Sequence, residues 1–485
     1  MIDTASVHRH IDAHLDAHVA RIRDFVRQPS VSLERTGLAE CAALLARHLE
    51  AAGCDEAKIV DLGDGYPGVW ACVRRGRPKT MLVYGHYDVR PVGAEKWTHP
   101  PFSAELQPFG GYPKAIIGRG VAAPKGPLQA FVNAVASMLA VEGGLPVDLV
   151  FLIEGAELLG SPNYHRLVDA HRDRLRGVSA LYWPRAGQDA SGTVGVNLGY
   201  KGLICVEFTA STAASGRGPQ GGPVHSATAA IVDNPVWRLM HAMASMTDSS
   251  GREIAIPELR RAMAFEKPIE AWERPLLDAI RARAAGKDPN AFVPGLSPQT
   301  PVSEFRETLA TPDLVQRYMY GPSFNVSGLR AGYTGPGTKS FLLPHEATAT
   351  CDLRIVTDVP ALEIVAMLRR HLDAKGFPDV RVDALGAHAG QQTPVDSPLV
   401  RAALATLERG GHATAIWPMQ AYGGPWAHVA KQLGIPSLQG AAPGLGARVA
   451  TSDEFLVVEG AGRIAGLAAL EKHYVDFLHA WAAAD

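Results

Sequence analysis

The chain has 485 residues, 47 of them basic and 49 acidic, with a formal charge of −2, and 47% of its residues are hydrophobic. That makeup excludes disorder, collagen and coiled coil as the main content, and a near-zero charge lacks the basic footprint of a nucleic-acid surface. The longest apolar run, Leu145 to Ile153, is interrupted by Asp148 and falls short of the ~20 residues that span a bilayer.

No basic start followed by an apolar stretch opens the chain, so no secretory leader is expected. Ile11, Leu15, Val19, Ile22 and Val26 recur at steps of three and four and predict an amphipathic first helix. Residues 80–89 (TMLVYGHYDV) predict a strand that runs into polar residues at its end. Leu128, Val132, Val135 and Leu139 predict a helix stopped by Gly143-Gly144. Val147 to Ile153 reads as a strand buried on both faces, and Ser161-Pro162 as the start of another helix. Strand, helix, strand, helix implies a parallel sheet covered on both sides, with ligand sites at the carboxyl ends of its strands. His86 and residues 154–157 stand at such ends.

The composition changes near Tyr200. LICVEFTAS reads as a strand, Asn234 to Met246 as a helix opened by Asn-Pro, and Ala349 to Val356 as another strand. Asp358 and Pro360 open a helix that runs to Lys375-Gly376, and Val380 to Leu385 closes as a strand. The segment 283–300, rich in Gly, Pro, Ala and Asn, reads as a loop. Helices at 397–409 and 458–481 return to the first domain. The expected organisation is a first domain of residues 1–199 and 387–485, with a small α+β domain inserted at 200–386. Five cysteines, widely spread and without a CxxC pair, fit a reducing cytoplasm.

Several local patterns carry chemistry. YGHYDVRPV (Tyr84–Val92) precedes WTHPPF (Trp97–Phe102); GRGVAAPKG spans Gly118–Gly126 and FLIEGAELLGSPN spans Phe151–Asn163. In the inserted domain VHSA (Val224–Ala227) precedes GYTGPGTKSFLLPHEATATCDLR (Gly332–Arg354). In this order and spacing the chain resembles, over nearly its whole length, the carnosinase, aminoacylase and glutamate carboxypeptidase family of two-metal peptidases, family M20. The resemblance implies an α/β catalytic domain with a mixed, mainly parallel sheet holding two zinc or manganese ions. It also implies an inserted α+β, ferredoxin-like lid that makes a homodimer. The implied reaction is amide hydrolysis of dipeptides or N-acyl amino acids by a metal-bridging water with a glutamate base. Two ions acidify that water and clamp the oxyanion.

The resemblance is uneven residue by residue. His86 matches the first metal ligand, and Asp88 the aspartate that orients it. The bridging aspartate falls on Ala123. The base falls on Glu157, but the ligand glutamate beside it falls on Leu158. The second ligand aspartate falls on Pro184 or Arg185 in LYWPRAG, and the late histidine on Ala450 or, with a gap, Arg448 in ARVATSDE. One imidazole cannot hold a divalent ion that needs about four donors. The expectation is a chain with no metal and no other cofactor. The lid retains more: His225 matches the histidine that reaches across the dimer to the substrate's oxyanion. Asn325 and Arg354 match residues on the substrate's oxygens and carboxylate. Gly423-Gly424 matches a glycine turn facing the same carboxylate, although the following Ser is Pro425 and the preceding Arg is replaced around Ala421.

Plainer readings stand beside these. Glu157 is also readable as a solvated carboxylate, His86 as a relic held by Asp88, and Arg185 as a surface arginine. Lys125 is a helix-start residue or, turned inward, a positive charge for an oxyanion. His10, His14 and His18 flank the apolar stripe of the first helix and read as a solvated edge. No Ser, Cys or Thr sits in a nucleophile motif, and the glycines around Gly335 follow no strand-to-helix turn. The reading favoured is a metal-independent enzyme acting at an amide, ester or activated acyl carbonyl of a small amino-acid-like or dipeptide-like substrate, with Glu157 as general acid/base. The alternative is an inactive pseudo-peptidase that binds a peptide or partner; an ordinary di-zinc dipeptidase ranks last. No nucleic-acid or membrane partner is expected.

Overall fold

The computed structural model describes residues 4–251, 253–263, 269–296, 298, 301–335, 337, 341–356 and 359–485. The chain divides into two compact units, one of residues 1–199, 392–418 and 425–485, the other of residues 200–391 and 419–424.

The first unit is built on an eight-stranded sheet in the order Glu56–Val60, Gly68–Val73, Asp148–Glu154, Thr80–His86, Val178–Trp183, Ser437–Gly440, Val194–Asn197 and Thr414–Trp417. The central strands Asp148–Glu154, Thr80–His86, Val178–Trp183 and Ser437–Gly440 run parallel. Every residue of Thr80–His86 and Asp148–Glu154 is buried, as continuous apolar runs in a covered parallel sheet should be. A smaller antiparallel sheet joins Glu105–Phe109, Tyr112–Ile117, Phe455–Glu459 and Gly446–Ala447.

The first helix spans Ala5–Arg27 and buries Val7, Ile11, Val19, Ile22, Phe25 and Val26. His18 departs from the expected solvated edge. It is 1% exposed, and its Nδ1 lies 2.5 Å from Oε2 of the buried Glu471. Its place next to Val19 turns it toward the Leu467–Ala483 helix that carries Glu471. The next expected helix runs Lys125–Glu142 and ends on Gly143 in the left-handed region, φ 65°. The helix expected at Ser161-Pro162 begins later, at Tyr164, because Ser161 itself takes φ 52°. The single helix expected over 458–481 is a strand, Phe455–Glu459, followed by the helix Leu467–Ala483. Glycines make the break: a Cβ on Gly466 would stand 2.3 Å from the Val458 carbonyl oxygen. Helices Leu38–Ala51 and Pro425–Leu433 were not anticipated.

The second unit runs β-α-β-β-α-β: Gly202–Ser211, Pro235–Ala244, Ser323–Ala331, Glu346–Ile355, Ala361–Ala374 and Arg381–His388. Its antiparallel sheet has the order Ser323–Ala331, Glu346–Ile355, Gly202–Ser211, Arg381–His388, which is ferredoxin-like. Alternation decides the faces. Cys351, Leu353 and Ile355 join the core with Phe208, Leu239 and Leu368, while Thr350, Asp352 and Arg354 point the other way, half-buried. Asn234 caps its helix by accepting the Val236 N–H. Asp358, expected to open a helix, lies outside the described residues. The expected loop at 283–300 is partly helical: Glu273–Ala284 ends within it, and Asp288-Pro289 caps a single turn to Phe292. No helix among the described residues is long and apolar enough to cross a membrane.

Candidate active site

Parallel pairing of Thr80–His86 with Asp148–Glu154 puts His86 opposite Glu154 at the carboxyl ends of both strands. The chain beyond each strand then folds over that end. Asp88, fully buried, accepts from the Glu157 N–H at 3.1 Å and the Leu158 N–H at 3.0 Å, and lies 2.9 Å from Nδ1 of His86. A carboxylate so placed assigns the proton to Nδ1 and leaves Nε2 facing the cleft. Nε2 stands 3.7 Å from Oε2 of Glu157. The Glu157 side chain is 22% exposed and that of His86 only 6%, so the carboxyl is the member of the pair that meets solvent.

Burial raises the pKa of Glu157, and Asp88 adds to this; His86, Arg185 and Arg90 draw it back only in part. Burial lowers that of His86, but Glu157, Asp88 and Glu154 outweigh it and the net direction is up. Both groups hold a proton to higher pH than they would in water, which suits proton transfer near neutrality. Behind them, Oε1 of Glu154 accepts from the Tyr84 hydroxyl at 2.7 Å and the Ser161 hydroxyl at 2.8 Å, and burial pushes this carboxyl up to about 8. Trp183 meets the His86 ring edge-on at 5.8 Å and packs against Trp426 at 4.3 Å; the Arg185 guanidinium lies 5.1 Å over the Trp183 ring. Sequence reasoning placed Glu154 at a strand end without giving it a role, and missed Trp183 and Arg90 although both stand inside quoted motifs.

The Gly118–Gly126 turn is different in kind. Glu454, 1% exposed, accepts from the N–H groups of Gly120, Ala122 and Ala123 at 3.0 to 3.1 Å. Lys125 is fully buried and donates to the carbonyl oxygens of Phe25 at 3.0 Å and Gln28 at 2.6 Å. The expected role of Lys125 at an oxyanion is therefore corrected: its ammonium ties the turn to the end of the first helix. Arg448 is 52% exposed, 3.6 Å from Asp453 and over the Phe109 ring, so it does not point into the cleft. Ala450 offers only its N–H, 3.4 Å from Glu454.

A metal pair needs donors that this corner lacks. Ala123 and Leu158 have none, Pro184, Arg185, Arg448 and Ala450 offer none for a cation, and Asp88, Glu154 and Glu454 are engaged by hydrogen-bond donors. Among the described residues no group of three or more His, Cys, Asp or Glu is placed to hold an ion. The residues present do not fit two ions.

In the second unit, strand register sets Asn325 opposite Asp352 and Ser323 opposite Arg354. Asp352 accepts from Nδ2 of Asn325 at 2.8 Å and from Nε of Arg354 at 3.4 Å, holding both expected substrate contacts on one patch. His225 is exposed, and its Nδ1 accepts the Ala227 N–H at 3.1 Å. Gly423 is required where it stands, since a Cβ there would meet the Lys201 carbonyl oxygen at 1.9 Å. Gly424 beside it is buried. The structure thus gathers His86, Asp88, Glu157 and Arg185 in the first unit, and Asn325 and Arg354 in the second.

Proton-handling side chains at the carboxyl ends of parallel strands, in a chain interrupted by a ferredoxin-like unit, are the architecture of the two-metal peptidase class. Within it the chain belongs to peptidase family M20/M25/M40, whose model matches residues 82–471. It is 26% identical over 401 residues to the Cys-Gly metallodipeptidase DUG1 of Saccharomyces cerevisiae, covering 76% of each chain. It is 26% identical over 394 residues to the Beta-Ala-His dipeptidase of Homo sapiens, covering 76% of this chain and 71% of that one. The M20 family metallo-carboxypeptidase Sso-CP2 from Sulfolobus solfataricus superposes with a TM-score of 0.81 at 26% identity, over 96% of this chain and 99% of the other. Human carnosine dipeptidase 1 shares the fold, with a TM-score of 0.74 at 21% identity over 99% of this chain and 100% of that one.

Proposed function

We propose that this chain is an enzyme of the M20 fold that works without the metal pair. It acts at an amide, ester or activated acyl carbonyl of a small amino-acid-derived substrate. One observation carries the reading: a buried His86–Glu157 pair is kept intact while the neighbouring ligand positions are Ala123 and Leu158. A mere relic has no need of a histidine fixed by Asp88 and aimed at a solvent-reaching carboxyl.

In this mechanism Glu157 takes the proton of the attacking group and returns it to the leaving group. His86, its Nδ1 held by Asp88, supplies or accepts the second proton at Nε2 and moderates the charge on Glu157. Preorganised donors each contribute a few kcal/mol to an oxyanion. Arg185, Arg354 and His225 are the side chains proposed for that charge and for the substrate carboxylate. Plain amide hydrolysis is the most demanding reaction for such a set, so activated acyl groups, or condensation and cyclisation, suit it better.

The test is elemental analysis of purified protein together with turnover of amino-acid esters, N-acyl amino acids and dipeptides in the presence of a chelator. Turnover that survives chelation with no bound zinc or manganese is expected. Two ions per chain would end the reading, and binding without turnover of any substrate would favour the pseudo-peptidase.

A homodimer through the second unit belongs to the same proposal. Ser323–Ala331 is an edge strand with Val326 and Leu329 exposed, and the Pro235–Ala244 helix exposes Trp237 and Met240. A monomer by light scattering would remove the reason for giving His225 a catalytic part. The five cysteines are all unpaired, which supports a reducing, cytoplasmic setting.

A further inference from the structure

The second unit contains a cavity of about 320 Å³ that none of the residues discussed so far explains. Its apolar wall is formed by Val293, Phe305, Leu309, Leu314 and Pro322. The helix Thr311–Tyr320 supplies Leu314, while Phe305 and Leu309 come from the irregular segment that leads into it. Such a volume lies at the lower end of small-molecule sites, which are mostly apolar with a few placed polar groups.

The polar groups on this wall have one prevailing sign. Lys201, Arg306 and Arg317 line the cavity against a single carboxylate, Glu307. Glu307 lies 2.9 Å from Arg317, with Glu253 at 3.8 Å from the same guanidinium, so that corner is balanced within the protein. Arg306 donates to the Gly251 carbonyl oxygen, and Lys201 to the carbonyl oxygens of Tyr318 at 2.6 Å and Gly321 at 2.5 Å. Lys201 is 2% exposed and burial lowers its pKa to about 7, so an anion beside it would draw a proton onto the amine and pair with it where water screens little. A neutral apolar guest would fill the walls but leave that field unanswered, and a cationic one would be repelled.

We propose that this cavity is a binding site for a small amphipathic carboxylate, its alkyl or aryl part against Phe305, Leu309 and Leu314 and its carboxylate toward Lys201 and Arg306. The site does not depend on the chemistry of Glu157. Ala421 and Ser323 also line it. Ser323 is paired in register with Arg354, so the cavity adjoins the Asn325–Asp352–Arg354 patch.

Calorimetric titration of the full chain with octanoate and with the neutral octanamide tests this. Octanoate is expected to saturate one site per chain, and octanamide to bind at least tenfold more weakly. Leu309→Trp, in the irregular segment, and Leu314→Trp both fill the cavity and should each weaken octanoate at least tenfold; circular dichroism and urea unfolding identify any variant that fails to fold. Arg306→Gln should narrow the gap between the acid and the amide. Glu157→Gln should bind octanoate like the parent, which separates this site from the proposed catalysis. Non-saturable octanoate uptake, equal affinity for the amide, or unchanged binding in both folded tryptophan variants would each overturn the proposal.

Discussion

Two buried clusters of charge in the first unit are both supplied by motif residues, and they differ in what remains unused. Around the Gly118–Gly126 turn, Lys125 is held by two carbonyls and Glu454 by three N–H groups. At the strand ends, Asp88 is saturated in the same way, but His86 keeps Nε2, and Glu157 keeps a carboxyl that reaches solvent. The first cluster is internally satisfied scaffold, and the second is the one proposed for chemistry. Both clusters are charged and largely buried, so neither property alone tells them apart; the hydrogen-bond inventory does.

Substitutions can break that distinction, beginning with the largest effect. Lys125→Met removes the donor for two buried carbonyls and should lower stability by about 4 kcal/mol, at 1–3 for each group left unsatisfied. Urea unfolding measures it, and the rate per folded molecule should stay near the parent's. A loss of rate without loss of stability would place Lys125 with the chemistry after all.

Glu154→Gln keeps the acceptor oxygen for Tyr84 and Ser161 but removes the titrating group. The folded pKa of Glu154, about 8, lies above the ordinary 4.5. Between those values the unfolded chain releases a proton that the folded chain retains, so this residue costs stability increasingly as pH rises from 4.5 to 8, and by a constant amount above. The Gln variant should therefore nearly match the parent at pH 4.5 and exceed it at pH 8 by up to about 4 kcal/mol. A difference independent of pH would mean that Glu154 is ionised in the folded protein.

Glu157→Gln should cost the reaction about 10²-fold or more in kcat, roughly 2.7 kcal/mol on the barrier, with KM and unfolding midpoint little changed. Undiminished turnover would sink the proposed mechanism. Arg448→Ala, which removes an exposed pair with Asp453, should move stability by less than about 0.5 kcal/mol and leave the rate alone. A large effect on rate would show that Arg448 enters the cleft during turnover.

Much of this was legible in the sequence where a single physical pattern governs. The continuous apolar runs gave the buried central strands, Gly143 the end of its helix, and Asn234-Pro235 the start of another. The motif order located His86, Asp88 and Glu157 at one sheet edge. Direction was the part that could not be read. Lys125 and His18 were ambiguous because their partners, Phe25, Gln28 and Glu471, are remote in the chain and supply a backbone oxygen or a lone carboxylate with no local signature. The break between Phe455–Glu459 and Leu467–Ala483 was missed because its apolar residues fit a helical and an alternating period almost equally well, and only the glycines between them decide. The helical residues within 283–300 were hidden by Gly and Ala content that says nothing about which face is buried.

Residues 419–424 belong to the second unit although the chain has already returned to the first. They are held there by the Lys201 N–H to the Gln420 carbonyl at 3.2 Å, the Tyr318 hydroxyl to the Gln420 side chain at 3.0 Å, and the close approach that Gly423 alone permits. During synthesis on the ribosome the second unit therefore lacks its last piece until residue 424 has emerged, so its completion is tied to that of the strands before and after it. Excising residues 200–391 as a free-standing fragment would leave the Lys201 carbonyl edge bare and water-exposed. A gene fusion that carries residues 419–424 on a short linker would restore it.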